Sequence, residues 1–434
     1  MKNNYKLQRK LLNVYIFIYL LFKLNKKYPK NYDAMIKLQN KRIKKLMKCA
    51  YEIPFYKKRF DEAGVTPDDI NCAEDLAKLP ILTKDELREW MAQESEKEEY
   101  KYWFKDTTSG STGQPLVHLY SPKEKAYNSA NWYRVLMLCG YNPFFGKTMS
   151  PVMAHSISGE NTSFVQKLGI LRRKFVYQYC SEQEVIDNIN EYKPDMLYLN
   201  KSIFMRLALY SKNNNIPVYK PKFYCPTGEM IDDNTRKILD DVFKGEYGMI
   251  NSYGTSETGS MAVKSYDSDI FLVNHDLFVI NVYDENNRLA DEGKAIVTPL
   301  YLTDLPLINY VIGDKVETVG YKGVKHIKNV CGRMNDFIKY EDGQVTTFFE
   351  IAPIIAQTKG IAQIRFVQKS YDDILIKCAI DKANTDLTKE QIEERLRTLL
   401  GEKFKKEFNL TFEWLDSIPP DKNGKLRMIV CEID

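Results

Sequence analysis

The chain has no Cys-x-x-Cys pair, no Gly-x-Ser-x-Gly elbow, no internal repeat, no low-complexity tract and no proline-rich linker in its 434 residues. Each absence removes a class of protein. Eight scattered cysteines read as reduced, packed thiols, so a disulfide scaffold is excluded. Without the elbow there is no sign of a serine-hydrolase nucleophile. Histidine is scarce, and His118, His155, His275 and His326 lack the spacing of a metal site. The longest apolar run, residues 11–22, is too short to span a bilayer, which needs about 20 residues. No small-x-small site follows it before the lysines resume, which argues against a cleavable signal peptide.

What is present is a large core and an uneven charge. A hydrophobic content of 44% in a chain of this length supports more than one domain in an intracellular, cytoplasmic protein. The net charge of +5 is split: residues 1–60 hold 17 Lys/Arg against Asp33 and Glu52, a local +15, so the remaining 374 residues sum to −10. These cations are not joined to a nucleic-acid module, so nucleic acid is not an expected partner. Within them the run 11–22 is bracketed by Lys6, Arg9 and Lys10 and by Lys23, Lys26 and Lys27. Three readings stand for it: a helix packed on the body or on the mate of a homodimer, a buried core helix, or a peripheral contact of residues 1–27 with the inner face of a membrane.

Five segments look chemical. Thr107, Thr108, Ser109, Gly110, Ser111, Thr112 and Gly113, followed by Gln114 and Pro115, gather hydroxyls and glycines whose backbone N–H groups can converge on an anion. The loop lacks the Gly-Lys-Ser/Thr of a Walker motif. In Tyr253-Gly254-Thr255-Ser256-Glu257, Tyr253 offers an aromatic face, Ser256 a hydroxyl for a phosphate oxygen and Glu257 a hard oxygen ligand suited to Mg²⁺. Asp314 follows Gly313 in a position to accept hydrogen bonds from a diol. Arg333 and Lys425 supply cations before and near the end of a C-terminal segment. A capped helix start, a turn aspartate or a surface lysine would explain each segment alone. All five in one chain point to a nucleotide.

On these residues the chain resembles the adenylate-forming superfamily of acyl-CoA synthetases, luciferases and peptide-synthetase adenylation domains. Ile53-Pro54-Phe55-Tyr56, Ala63-Gly64-Val65, Leu79-Pro80 and Thr83-Lys84 resemble the N-terminal pattern of its short branch, the phenylacetate-CoA ligases and CapK-type proteins. The resemblance implies a ligase that uses ATP, Mg²⁺ and a small-molecule carboxylic acid to make an acyl-adenylate, then transfers the acyl group, with coenzyme A as acceptor. CapK-like activation of an acid for a cell-surface polysaccharide is the rival, and a nucleotide-binding scaffold without turnover is a third. The resemblance assigns residues 107–113 to the triphosphate, Gly228 and Glu229 after Thr227 to the adenine pocket, and Tyr253 to stacking on adenine, beside Gly254. It gives Ser256 the α-phosphate, Glu257 the Mg²⁺, Asp314 the ribose, Arg333 the nucleotide and Lys425 the reacting oxygens. Asn335 would be the hinge. Asn309 and Tyr310 stand where many relatives carry an arginine, and Ser256 where threonine is more usual. His155, within residues 153–159, is either a packed structural histidine or a border of the acyl pocket.

Periodicity gives the organisation. Helical spacing covers residues 34–50, 83–91, 182–192, 202–211 and 389–404, and strand-like runs cover 195–199, 277–283, 294–300, 363–368, 373–380 and 409–415. The expected fold is α/β: a large N-terminal α/β domain, residues 1–332, with a β-rich subdomain and a basic helical extension at 1–60. A small α+β lid, residues 333–434, follows across a short hinge.

Overall fold

The structure, a computed structural model, describes residues 12–19, 24, 31–108, 116–152, 164–177, 180–333, 337–381, 385–421 and 426–433. The chain forms two compact units that alternate in sequence. The first is Met1–Gly140 with Ser252–Cys331, the second Tyr141–Asn251 with Gly332–Asp434.

In the first unit, Asn31 caps the helix Tyr32–Tyr51 by accepting the Ala34 N–H at 2.9 Å, and Met35, Ile43, Leu46, Met47 and Ala50 turn inward at helical spacing. The next helix, Pro54–Ala63, takes proline in its first turn and stops at Gly64, whose φ of 66° suits glycine. Thr83 and Glu86 form a reciprocal capping box for Lys84–Ser95. The described part of the N-terminal apolar run is the helix Leu12–Ile18. Ile16 and Tyr19 are buried, Tyr19 with its ring 5.5 Å from Tyr127, and Val14 and Ile18 stay exposed. No helix of the described residues is long and apolar enough to cross a membrane.

Three antiparallel sheets complete this unit: the hairpin Phe104–Thr108 with Leu116–Tyr120, the sheet around Asn251–Thr255 and Gly259–Lys264, and a four-stranded sheet of Phe278–Tyr283, Glu292–Pro299, Tyr310–Tyr321 and Val324–Arg333. A turn at Asp284 to Asn287 follows the first strand of the last sheet. Asp284 accepts the N–H groups of Asn286 and Arg288, and Asn287 has φ 58°.

A buried ion pair ties the helix Pro122–Leu138 to the segment before the last sheet. Arg134, with no exposed surface, donates to both oxygens of Asp276 at 2.8 and 3.0 Å, and Arg42 reaches the same carboxylate at 3.3 Å.

The second unit contains a five-stranded, all-parallel sheet in the order Arg173–Tyr177, Thr148–Val152, Met196–Asn200, Phe223–Thr227, Gly248–Met249. Helices Glu182–Tyr192, Lys201–Asn214 and Asp233–Phe243 cross between its strands, as parallel pairing requires. Their apolar faces, with Ile186, Phe204, Leu239 and Phe243, build its core together with Ala362 and Ala379 from the C-terminal segment. That segment holds a mixed sheet in the order Asn409–Leu415, Asp373–Ile380, Ile361–Gln368, Ile429–Cys431. Its central pair is antiparallel and its outer pairs are parallel. Helices Phe348–Gln357 and Lys389–Lys403 cover it through Ile351, Ile392, Leu396 and Leu400.

Two outcomes follow. Replacing Asp276 with Asn leaves a guanidinium buried without its counter-charge, so unfolding in urea should show a loss of about 3–5 kcal/mol; a loss below 1 kcal/mol would mean the pair is not needed. Burial pushes His118 down to about 3 and His275 and His326 down to about 4, from 6.5. The unfolded chain therefore binds more protons below pH about 6.5, and stability is lost as pH falls from there toward 4. His118→Phe should lower the slope of stability against pH in that window by up to about 1.4 kcal/mol per pH unit. An unchanged slope would exclude His118 as a source.

Candidate functional site

The hairpin brings the two ends of the hydroxyl loop together, since Thr108 pairs with Leu116 and Thr107 with Val117. Ser109, Gly110, Ser111, Thr112 and Gly113 lie outside the described residues, and Thr107 stands exposed at the base of the loop. On the second strand of the hairpin His118 is fully buried, and neither ring nitrogen has a partner among the described residues. Burial, helped by the charge of Lys125, keeps the ring neutral. Its ring meets Tyr120 edge-on at 4.4 Å.

Tyr120 links this hairpin to the second motif. Its hydroxyl lies 2.6 Å from the Ser256 carbonyl oxygen and 2.8 Å from that of Glu257. The phenol is fully buried, and burial raises its pKa well above the ordinary value, so it remains a donor. The turn it holds is further fixed by Tyr301, which donates to the Thr258 carbonyl at 2.9 Å, and by the Thr255 and Thr258 hydroxyls 3.0 Å apart. Glycine is required at both ends. A Cβ at Gly254 would fall 2.1 Å from the Gly259 carbonyl oxygen, and one at Gly259, whose φ is 72°, would fall 2.0 Å from Oδ1 of Asn128.

From this turn Ser256 is exposed, whereas Glu257 is buried and accepts the Tyr310 hydroxyl at 3.2 Å. Tyr253 is also buried and donates to Oδ2 of Asp314 at 2.9 Å. Asp314 reaches it from a bulge. Ile296 pairs with Val311 but Lys294 with Lys315, so residues 312–314 stand opposite Ala295 alone, two more than regular pairing takes, with Gly313 at φ 82°. Ser256, Glu257, Tyr253, Gly254 and Asp314 are thus brought together. Tyr120, Tyr301 and Tyr310 support them, and of these the sequence marks only Tyr310, as standing where many relatives carry arginine.

The remaining predicted residues lie elsewhere or outside the description. Gly228 (φ 85°) and Glu229 belong to the second unit, at the end of Phe223–Thr227. Glu229 accepts the Ser202 N–H at 3.2 Å, its other oxygen has no partner among the described residues, and burial raises its pKa, with Lys201 opposing. Lys201 is buried 3.5 Å from Asp232. Arg333 ends the strand Val324–Arg333. Asn335, Lys425 and the segment 153–159 with His155 lie outside the described residues. The residues flanking Lys425 are anchored: Asp421 takes Arg365 at 3.1 Å and Arg427 at 3.1 Å.

The CapK C-terminal domain family matches residues 337–432. Protein CapK of Staphylococcus aureus is 24% identical over 445 residues, covering 94% of each chain. The phenylacetate-coenzyme A ligase of Aromatoleum evansii is 38% identical over 337 residues, which cover 70% of this chain and 72% of that one. In fold, the crystal structure of 2-hydroxyisobutyryl-CoA ligase in the postadenylation state superposes with a TM-score of 0.75 at 18% identity, over 94% of this chain and 91% of that chain. The mixed α/β architecture, with a large N-terminal and a small C-terminal domain, is that of the adenylate-forming ligases. The chain belongs to that family, in the branch shared by the phenylacetate-CoA ligases and CapK.

Proposed function

We propose that the protein activates a carboxylic acid with ATP and passes the acyl group to coenzyme A. The observation that carries this reading is the convergence of Tyr253, Asp314, Ser256 and Glu257 within one unit. In the first half-reaction a carboxylate oxygen attacks the α-phosphorus, the bond from that phosphorus to the bridging oxygen breaks, and pyrophosphate leaves. Two anions must meet, so positioning and charge neutralisation are the catalytic task. Tyr253 packs on the base while its hydroxyl holds the Asp314 carboxylate at the ribose. Ser256 donates to the α-phosphate, residues 107–113 hold the β- and γ-oxygens, Arg333 reaches the nucleotide, and Gly228 and Glu229 border the adenine.

Glu257 is the donor offered to Mg²⁺. No cluster of three or more His, Cys, Asp or Glu exists among the described residues, and a lone carboxylate fits an ion that keeps its waters and phosphate ligands better than a protein cage would. The ion would screen the phosphate charge, and Tyr310 orients the carboxylate that holds it. Lys425 stabilises the charge shared by the acid and the α-phosphate. Residues 333–434 act as a lid on a body of residues 1–332, turning at Asn335. In the second half-reaction the acceptor thiolate attacks the acyl carbonyl and AMP leaves.

A CapK-like reading, with a non-thiol acceptor for surface polysaccharide, is favoured by the match of residues 337–432 to the CapK C-terminal domain. The half-reactions separate the two. Pyrophosphate release with a panel of aromatic, aliphatic, amino and sugar acids should require Mg-ATP, and coenzyme A should then discharge the adenylate; discharge only by a hydroxyl acceptor would select the CapK-like reading. Silence across the panel would favour a scaffold without turnover.

Two variants test the assignment. Lys425→Ala should slow pyrophosphate release about 10²-fold or more and leave transfer from a supplied acyl-adenylate near wild type; equal loss of both would refute this division. Tyr310→Phe should raise the Mg²⁺ concentration for half-maximal pyrophosphate release about tenfold, the cost of one hydrogen bond to a charged group. An unchanged Mg²⁺ requirement would remove Glu257 as the metal ligand.

A further inference from the structure

All five strands of the second unit's sheet run parallel, so the segments that lead into them share one edge. Each leads in past a cation: Arg172, Lys147, Lys193, Lys222 and Lys244. Taken together, the entry segments 142–147, 167–173, 190–195, 217–222 and 244–247 hold eight Lys/Arg against Glu191, Asp195 and Glu246. Two of those three anions are already engaged, Asp195 by Lys222 and Glu191 by Lys174, each at 3.5 Å. In a chain that carries −10 beyond residue 60, this edge is a local excess of positive charge.

The same edge presents its apolar side chains outward. Phe145 is 69% exposed and Leu168 61%, the highest values among the exposed large hydrophobic side chains of the described residues. Neither is loose. Their two loops are tied together by the Leu171 N–H donating to the Phe144 carbonyl at 3.0 Å and by Arg172 donating to the Phe145 carbonyl. Within each loop, Gly146 donates to Asn142 and Gly169 to Gln166, both at 2.9 Å. A Cβ at Gly146 would fall 2.6 Å from the Tyr141 ring, so the turn that carries Phe145 has one tight shape. Two apolar side chains held outward by hydrogen-bonded turns amid cations are suited to a surface that is apolar below and anionic above.

We propose that this edge docks on an anionic lipid bilayer, with Phe145 and Leu168 entering the headgroup region and the strand-entry cations facing the lipid phosphates. A second copy of the chain is a poorer occupant, because a two-fold contact would face this positive edge with itself. Nucleic acid is also poorer, since Leu168 offers it neither a hydrogen bond nor a stacking plane. The opposite ends of the same strands carry Asn200 to Ser202 and Thr227 to Glu229, where parallel sheets place their ligands, so docking leaves that end open. Docking here is independent of the proposed acid and acceptor, and of the basic N-terminal segment.

Flotation of the full-length protein with vesicles of phosphatidylcholine alone, or mixed with phosphatidylglycerol, tests it. Binding should occur only to the mixed vesicles. It should fall about tenfold in Phe145→Ser/Leu168→Ser and again in Lys220→Glu/Lys244→Glu, whose side chains are exposed, with thermal unfolding unchanged. Binding unchanged in both double variants would place lipid contact elsewhere, in residues 1–27, and overturn the proposal. So would absence of binding to anionic vesicles, an apolar variant that alters only the oligomeric state, or retention on single-stranded DNA in place of vesicles.

Discussion

The site depends on one phenol. Tyr120 stands at the end of the strand that leads out of the hydroxyl loop, and its hydroxyl lies between two successive carbonyls of the turn that carries Ser256 and Glu257. It joins residues 136 and 137 positions apart. A single hydrogen shared between two acceptors is a modest bond, but here the alternative is a buried phenol and two carbonyls left unpaired, and that cost fixes the geometry. Tyr301, in the turn after Glu292–Pro299, and Tyr310, at the start of Tyr310–Tyr321, repeat the device, one on the Thr258 carbonyl and one on the Glu257 carboxylate. Three tyrosine hydroxyls thus hold the turn rigid from behind and leave the Ser256 side exposed.

Much of the front of the site was legible in the sequence, and little of its back. Tyr253, Glu257 and Asp314 stand next to glycines and hydroxyl residues in segments too polar to be core, so their chemistry shows locally. Tyr120 sits in Leu116–Tyr120, a strand that reads as ordinary buried hairpin, and nothing near it marks the carbonyls it will meet. The elements themselves were well marked. The helix Glu182–Tyr192 and the strands Asp373–Ile380 and Asn409–Leu415 fall where periodicity puts them, because each has one apolar face and a clear stop. The bulge that aims Asp314 was not visible, since it is defined by pairing with Lys294 and Ile296 rather than by its own residues.

The charge pattern has a similar logic. Arg134 has Asp276 as its buried counter-charge in the first unit, while Glu124, whose carboxyl burial pushes up to about 8, is held by the N–H groups of Thr303 and Asp304 at 2.7 and 2.8 Å and closes the capping box of its own helix. Such groups specify one arrangement, because every alternative strands an ion in the core. Asp421, holding Arg365 and Arg427, does the same for the second unit beside Lys425.

The alternation of the units along the chain governs how the protein can be made. The first unit needs residues up to 331 and the second needs residues up to 434, so during synthesis the parallel sheet leaves the ribosome long before Ala362 and Ala379 arrive to complete its core. The nascent chain must therefore carry part of that apolar face uncovered from the synthesis of Met249 until Ala379 is made. For the same reason cutting residues 332–434 away would uncover the part of that core against which Ala362 and Ala379 pack.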